Sequence, residues 1–314
     1  MEAGLHRRTP GFLASLAVLA GATGCANLPA PPRSLTQAAG IYADCRGAPT
    51  ASPTVILEAG AFGTSADWDL VLNDLAKGGR ACAYDRGGLG ASAARAGAED
   101  PVSIARELAG VLDSLGETAP VILVGHSNGQ LYVEAFASLY PQRVAGVVYV
   151  NGVGADDLND PRLLGYLAEE RRLSDLAVTA TSVGLAPLIA AKLTQDEGLG
   201  AAAADRKRRA LTCHSCLRVA RDEDREIVPG LTEVEKLGGV PADIPTVVIV
   251  GATQPKRGSA QAWRAAEIAP AQRAQRSWIL DAVGATHVSP LARDRAYILA
   301  AVDWLRSEAA RSPR

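Results

Sequence analysis

Residues 120–136, PVILVGHSNGQLYVEAF, constrain the fold more than any other stretch of the chain. A short, nearly continuous apolar run suits a strand buried on both faces of a parallel sheet. It ends in Gly-His-Ser-Asn-Gly, and a helix-like pattern begins at once, so the chain must turn sharply at Ser127. Glycines at 125 and 129 fit that turn, because side chains there would collide with neighbouring strands and helices.

The same alternation recurs along the chain. Strands are predicted at 41–45, 54–59, 81–85, 120–125, 144–150, 245–251 and 277–283, and helices at 66–77, 101–116, 129–140, 259–268 and 291–309. The helix at 101–116 aligns Ile104, Leu108, Val111, Leu112 and Leu115 on one stripe, with proline early and glycine at its end. The next helix should stop at Tyr140, since Pro141 disfavours helical geometry in the residue before it. Alternating strands and helices predict a doubly wound, mostly parallel α/β sheet. Residues 152–240 break the rhythm. They are rich in Ala, Leu, Arg and Asp, and they read as a helical lid inserted into a core formed by 39–151 and 241–314. With 314 residues and 48% hydrophobic content, one large domain can bury a full core.

The charge balance of −2 offers no basic patch for nucleic acid and no acidic tail. Aromatic residues make up only 4% of the chain, which leaves no platform for sugars or nucleobases. The N-terminus carries more information. LHRRTP is a positive segment, and GFLASLAVLAGA is apolar but too short to span a bilayer. ATGC follows, so residues 1–24 resemble a bacterial lipoprotein signal peptide with Cys25 as the lipidated residue. Ala22 and the Thr9-Pro10-Gly11 stretch depart from lipobox and twin-arginine patterns, so ordinary secretion is the alternative. Residues 25–38 read as a Pro-rich tether. The expected location is outside the cytoplasm, either periplasmic or lipid-anchored to the cell envelope.

A serine hydroxyl is a poor nucleophile until a base takes its proton. Four histidines are available. His6 lies in the signal segment and His214 between two cysteines. His126 adjoins the serine, but alternation along a strand should point it away from the hydroxyl. His287 remains, in VGATHVSPL just after the last predicted strand, where sites gather in such sheets.

On these residues the sequence resembles the α/β-hydrolase superfamily. GHSNG looks like the nucleophile elbow, which makes Ser127 the nucleophile. GATH looks like its Gly-x-x-His loop, which makes His287 the base. EAGAFGTSADW (58–68) is similar to the oxyanion loop, and AYDRGGLGAS (83–92) to the Asp-Arg-x-Gly-x-Gly-x-Ser turn of many esterases and peptidases. The resemblance implies backbone donors from Ala61 and Asn128, with Phe62 the alternative if the loop register shifts. The Asp85–Arg86 turn reads as structural.

The third triad member departs from the family pattern. The resemblance places a carboxylate after the penultimate strand, where Gln254 stands, or at the end of the strand before the lid. Asp156 is the first choice and Asp157 the second. Asn151 or Gln254 would serve as an uncharged orienter. In the same template the strands holding Cys45 and Cys82 lie side by side, implying a disulfide. Cys213 and Cys216 are then left to pair locally. Free thiols, a thioredoxin-like redox motif or half a zinc site are the other readings of that Cys-x-x-Cys.

The expected protein is an exported serine hydrolase with no cofactor or metal, acting on a small or medium carboxylic ester. Its partner is a small-molecule acyl substrate, it touches membrane only through an N-terminal lipid, and its oligomeric state is open. Amide hydrolysis of aminopeptidase type and acyl transfer would use the same residues. A non-catalytic binding protein on a degenerate hydrolase fold is the reading of another class.

Overall fold

A computed structural model describes residues 40–155, 161–186, 198–251 and 260–311. The signal peptide, Cys25, the tether, Asp156, Asp157 and Gln254 all lie outside the described residues.

Seven strands form one sheet in the order β1-β3-β2-β4-β5-β6-β7. They are β1 (Ala43–Arg46), β2 (Val55–Glu58), β3 (Ala81–Tyr84), β4 (Val121–His126), β5 (Val144–Val150), β6 (Thr246–Gly251) and β7 (Ser277–Ala282). Only β1 runs antiparallel, pairing with β3. In that pair Cys45 stands directly opposite Cys82, and the two form a disulfide. The crosslink closes a separation of 37 residues. A loop of that size removes about 3 to 4 kcal/mol of unfolded-chain entropy in the simple loop-closure model.

Side chains alternate between two cores, as the period of a strand requires. Val55, Leu57, Ile122, Val124, Val148, Val150, Val247 and Ile249 face one side of the sheet. There α1 (Asp69–Leu75) contributes Val71 and Leu72, and α8 (Ala296–Arg311) contributes Ile298, Val302 and Leu305. Ile56, Leu123, Val147, Tyr149, Val248 and Val250 face the other side, under α2 (Pro101–Leu115) and α3 (Gly129–Leu139). The start of α2 is set by Asp100, whose carboxylate accepts from the Ser103 amide at 2.8 Å, with Pro101 in the first turn. Gly116 stops the helix in the left-handed region, at φ 72°.

Between β5 and β6 the described residues form three helices: α4 (Pro161–Ser182), α5 (Ala201–Thr212) and α6 (His214–Lys236). Ile227, Leu231 and Val234 of α6 join the core beneath α2 and α3, so this helix is docked on the sheet-side layer. Cys213 and Cys216 pair at the junction of α5 and α6.

Two predicted helices shift. The one expected at 259–268 extends as α7 (Ala260–Arg273), running past Pro270. The one expected from 291 starts at 296, because Ser289–Leu291 form a separate tight turn around Pro290.

Candidate active site

The turn after β4 holds Ser127 at φ 53°, a left-handed conformation that few non-glycine residues adopt. The surrounding structure fixes it there. The Ser127 amide donates to Val150 O at 3.0 Å, while its carbonyl accepts from Gln130 and Val153 amides at 3.0 and 3.1 Å. A Cβ on Gly125 would lie 2.7 Å from Gly129 O, and one on Gly129 would lie 2.6 Å from Glu58 O. Both glycines are therefore required by the crossing of α3 over β2 and β4.

The residues 59–64 wrap over this turn. A Cβ on Gly60 would meet Ser127 Cβ at 2.8 Å, so the loop touches the elbow directly. Phe62 sits at φ 57°, and the Gly63 amide closes the loop onto Gly60 O at 3.1 Å. Asp85 anchors the far end, accepting from the Ser65 and Ala91 amides at 2.7 and 2.9 Å. Among the described residues, no acceptor is paired with the backbone N–H of Ala61, Phe62 or Asn128. Unpaired amides beside a strained serine are suited to an anionic oxygen.

His287 is held beside the end of β4 by its backbone. The loop after β7 crosses the ends of β6 and β5, and His287 O accepts from His126 Nε2 at 2.8 Å and from Asn151 Nδ2 at 3.0 Å. Asn151, itself at φ 46°, accepts from the Gly251 amide at 2.5 Å through its Oδ1. Thr286 and Ser289 lock the turn with reciprocal amide-to-hydroxyl bonds of 2.8 and 3.2 Å. The imidazole of His287 consequently lies 4.8 Å, between ring centroids, from that of His126, the residue preceding Ser127.

Two of these contacts were not anticipated. Strand alternation is expected to point His126 away from the serine hydroxyl, and its Nε2 meets the carbonyl of His287. Asn151 grips the same carbonyl, so it positions the loop and does not pair with the imidazole. Their place at the ends of β4 and β5 was the available signal, since those ends border every loop reaching the elbow.

Burial lowers the pKa of both histidines. His126 is pushed down to about 3, by desolvation first and then by His287. His287 is also lowered, by desolvation alone. Both rings are thus neutral at ordinary pH, and a neutral imidazole can accept a proton.

Sheet order, crossing helices and elbow now match a known architecture. The chain carries the α/β-hydrolase fold. The model of the α/β hydrolase fold family matches residues 53–185. A curated relative from Gibberella zeae, an AB hydrolase superfamily protein, is 32% identical over 117 residues, covering 35% of this chain. The matched region is 36% of the relative, so the chain spans about a third of its length. Among solved structures, a thermophilic esterase from Thermogutta terrifontis superposes with a TM-score of 0.63 at 20% identity, covering 85% of this chain and 94% of the esterase. The enol-lactonase from Burkholderia xenovorans gives 0.62 at 18% identity, with 86% and 99% covered. The epoxide hydrolase CorEH gives 0.62 at 18%, with 84% and 93% covered.

Proposed function

We propose that the protein is an exported serine hydrolase that cleaves a small or medium carboxylic ester through an acyl-enzyme on Ser127. The observation that carries this reading is the convergence of three groups at the ends of β4 and β5. They are a serine held at φ 53°, a histidine whose backbone carbonyl is held by His126, the residue preceding that serine, and the unpaired amides of Ala61 and Asn128. The esterase and lactonase among the structural neighbours agree with ester chemistry. The paired cysteines agree with an oxidising compartment, periplasmic or at the cell envelope through a lipid on Cys25.

In the first step Ser127 Oγ attacks the ester carbonyl carbon while His287 takes the hydroxyl proton. The carbonyl oxygen becomes an oxyanion, met by the N–H groups of Ala61 and Asn128, each such donor being worth roughly 3–4 kcal/mol. Collapse breaks the bond to the alkoxide, which receives the proton from His287 and leaves as the alcohol. Water, deprotonated by His287, then attacks the acyl-enzyme, and the acid departs with Ser127 restored. An acidic side chain that orients the imidazole is assigned to Asp156, with Asp157 next; singly replaced variants identify it.

Labelling by a fluorophosphonate probe tests the assignment. We expect one adduct, on Ser127, and turnover of nitrophenyl esters of graded acyl length beside slower or absent turnover of aminoacyl amides. No adduct in folded protein would favour the binding-protein reading, and a product that carries the acyl group onto an added alcohol would favour acyl transfer.

A second expected result concerns pH. The base must be neutral, and desolvation lowers the pKa of His287. Activity is therefore full above that pKa and lost as pH falls through it. The acid limb of kcat/KM should have its midpoint below about 6.5, the ordinary histidine value. A midpoint above 7 would assign the limb to some other group or to a histidine stabilised as the cation.

A further inference from the structure

The turn that reads as structural in the sequence contains a fully buried cation with five hydrogen bonds. Arg86 follows β3 and is only 1% exposed. Its Nε donates to Glu223 Oε1 at 2.9 Å and its Nη2 to Glu223 Oε2 at 2.8 Å, a bidentate pair with a residue of the inserted helix α6. Its Nη1 donates to Glu58 Oε1 at 2.7 Å and to Ala59 O at 2.7 Å, and its Nη2 donates also to Gly60 O at 3.0 Å. A guanidinium carries five N–H donors, and every one here has an acceptor. Tyr132 lies under the same group, 4.9 Å from ring centroid to Cζ.

One of those acceptors has a direct chemical consequence. A peptide unit is planar, so the carbonyl of Gly60 and the N–H of Ala61 belong to one rigid plane and point in opposite directions. Fixing Gly60 O fixes where Ala61 N–H points, and a cationic donor on that oxygen further polarises the amide. The insertion grips the same loop twice more. Lys207 of α5 pairs with Asp67 Oδ1 at 2.5 Å, and Asp67 Oδ2 accepts from the Thr64 amide at 2.7 Å. Phe62 packs against Val178, Leu211 and Leu217, one from each inserted helix.

We propose that Glu223 is a positioning residue for the oxyanion donor Ala61, acting through Arg86, with Lys207 supporting the other end of the loop through Asp67. The inserted helices then do more than cover the substrate: their docking sets the direction of an amide that the reaction needs. This rests on the ester-hydrolase reading of the site. It differs from a plain structural role in what it predicts, because a misdirected oxyanion donor weakens the transition state and leaves ground-state binding nearly intact.

The test compares the full chain with Glu223→Gln, Glu223→Asp and Lys207→Met. Each is measured for kcat and KM on a nitrophenyl ester, for affinity toward a trifluoromethyl ketone, whose adduct with serine carries an oxyanion, and for thermal unfolding. Glutamine places an N–H against the guanidinium and breaks the bidentate pair. Glu223→Gln should lose 10- to 100-fold in kcat, keep KM within about twofold, and lose ketone affinity by the same factor as kcat/KM. Glu223→Asp, which keeps the charge, should recover part of both, and Lys207→Met should lose severalfold in the same two quantities. A folded Glu223→Gln protein with unchanged kcat and ketone affinity overturns the proposal, whatever its melting temperature. Should that variant not fold, an unchanged kcat and ketone affinity in Lys207→Met overturns it instead. If the unaltered protein neither turns over esters nor reacts with the fluorophosphonate, the hydrolase reading has failed and this inference falls with it.

Discussion

Replacing Ser127 by alanine should reduce ester turnover by about five to six orders of magnitude and abolish fluorophosphonate labelling. A loss of 10⁵ corresponds to roughly 7 kcal/mol of transition-state stabilisation, which no packing change at a half-buried serine can supply. Residual turnover would come from the amides of Ala61 and Asn128 acting on attack by water. The fold should survive, because the bonds that fix the elbow use the backbone of residue 127 and not its hydroxyl. Ser127→Gly gives a companion measurement. Ser127 sits at φ 53°, where a Cβ is strained, so glycine should lose activity equally while gaining up to about 1 kcal/mol of stability. The pair separates chemistry from fold: equal inactivity with a stability gain in the glycine variant alone is expected from a strained nucleophile. Alanine protein retaining a tenth of the parent rate would remove Ser127 from the mechanism.

Much of this architecture could be read from the chain because the signals were local. The apolar runs at 54–59, 120–125 and 245–251 became β2, β4 and β6, and the Gly125–Ser127–Gly129 pattern became the crossing of α3 over the sheet. The neighbouring positions of Cys45 and Cys82 followed from resemblance, and the register sets them directly opposite. Contacts between distant segments were not legible. Arg86 and Glu223 are 137 residues apart, and which acid of the insertion meets Arg86 depends on how α6 docks against α2 and α3. Nothing in the spacing of a single helix states that. The clasp of His126 and Asn151 on the carbonyl of His287 was hidden for another reason: sequence patterns report side-chain character, and the group being held is backbone. Helix ends depend on the same balance. The predicted helix stopped at 268, but a proline near a C-terminus removes only one bond, and α7 continues past Pro270 to Arg273.

Arg86→Met should destabilise the protein by about 3–5 kcal/mol, the usual consequence of stranding a buried ionic partner. Methionine matches part of the volume, so a cavity is not the main cause. The cost arises because Glu58 and Glu223, each 2% exposed, lose the cation between them, while Ala59 O and Gly60 O lose a donor. The pH dependence identifies the mechanism. In the intact protein burial pushes the Glu58 carboxyl upward, and Arg86 is the largest force opposing it. Without Arg86 the folded-state pKa rises further above the unfolded value near 4.3. A carboxyl raised in this way favours folding below its unfolded pKa and loses that contribution as pH climbs toward the folded one. The deficit of Arg86→Met relative to the parent should therefore be smaller at pH 5 than at pH 8, as measured by urea unfolding at both. A deficit independent of pH would mean that lost packing, and not stranded charge, is what the substitution exposes. Replacing Glu58, Arg86 and Glu223 together by apolar residues of similar size should then recover much of the stability, since no buried charge is left unpaired. By the argument from Gly60 and Ala61 that stable protein would still turn over ester slowly, with an oxyanion amide free to swing.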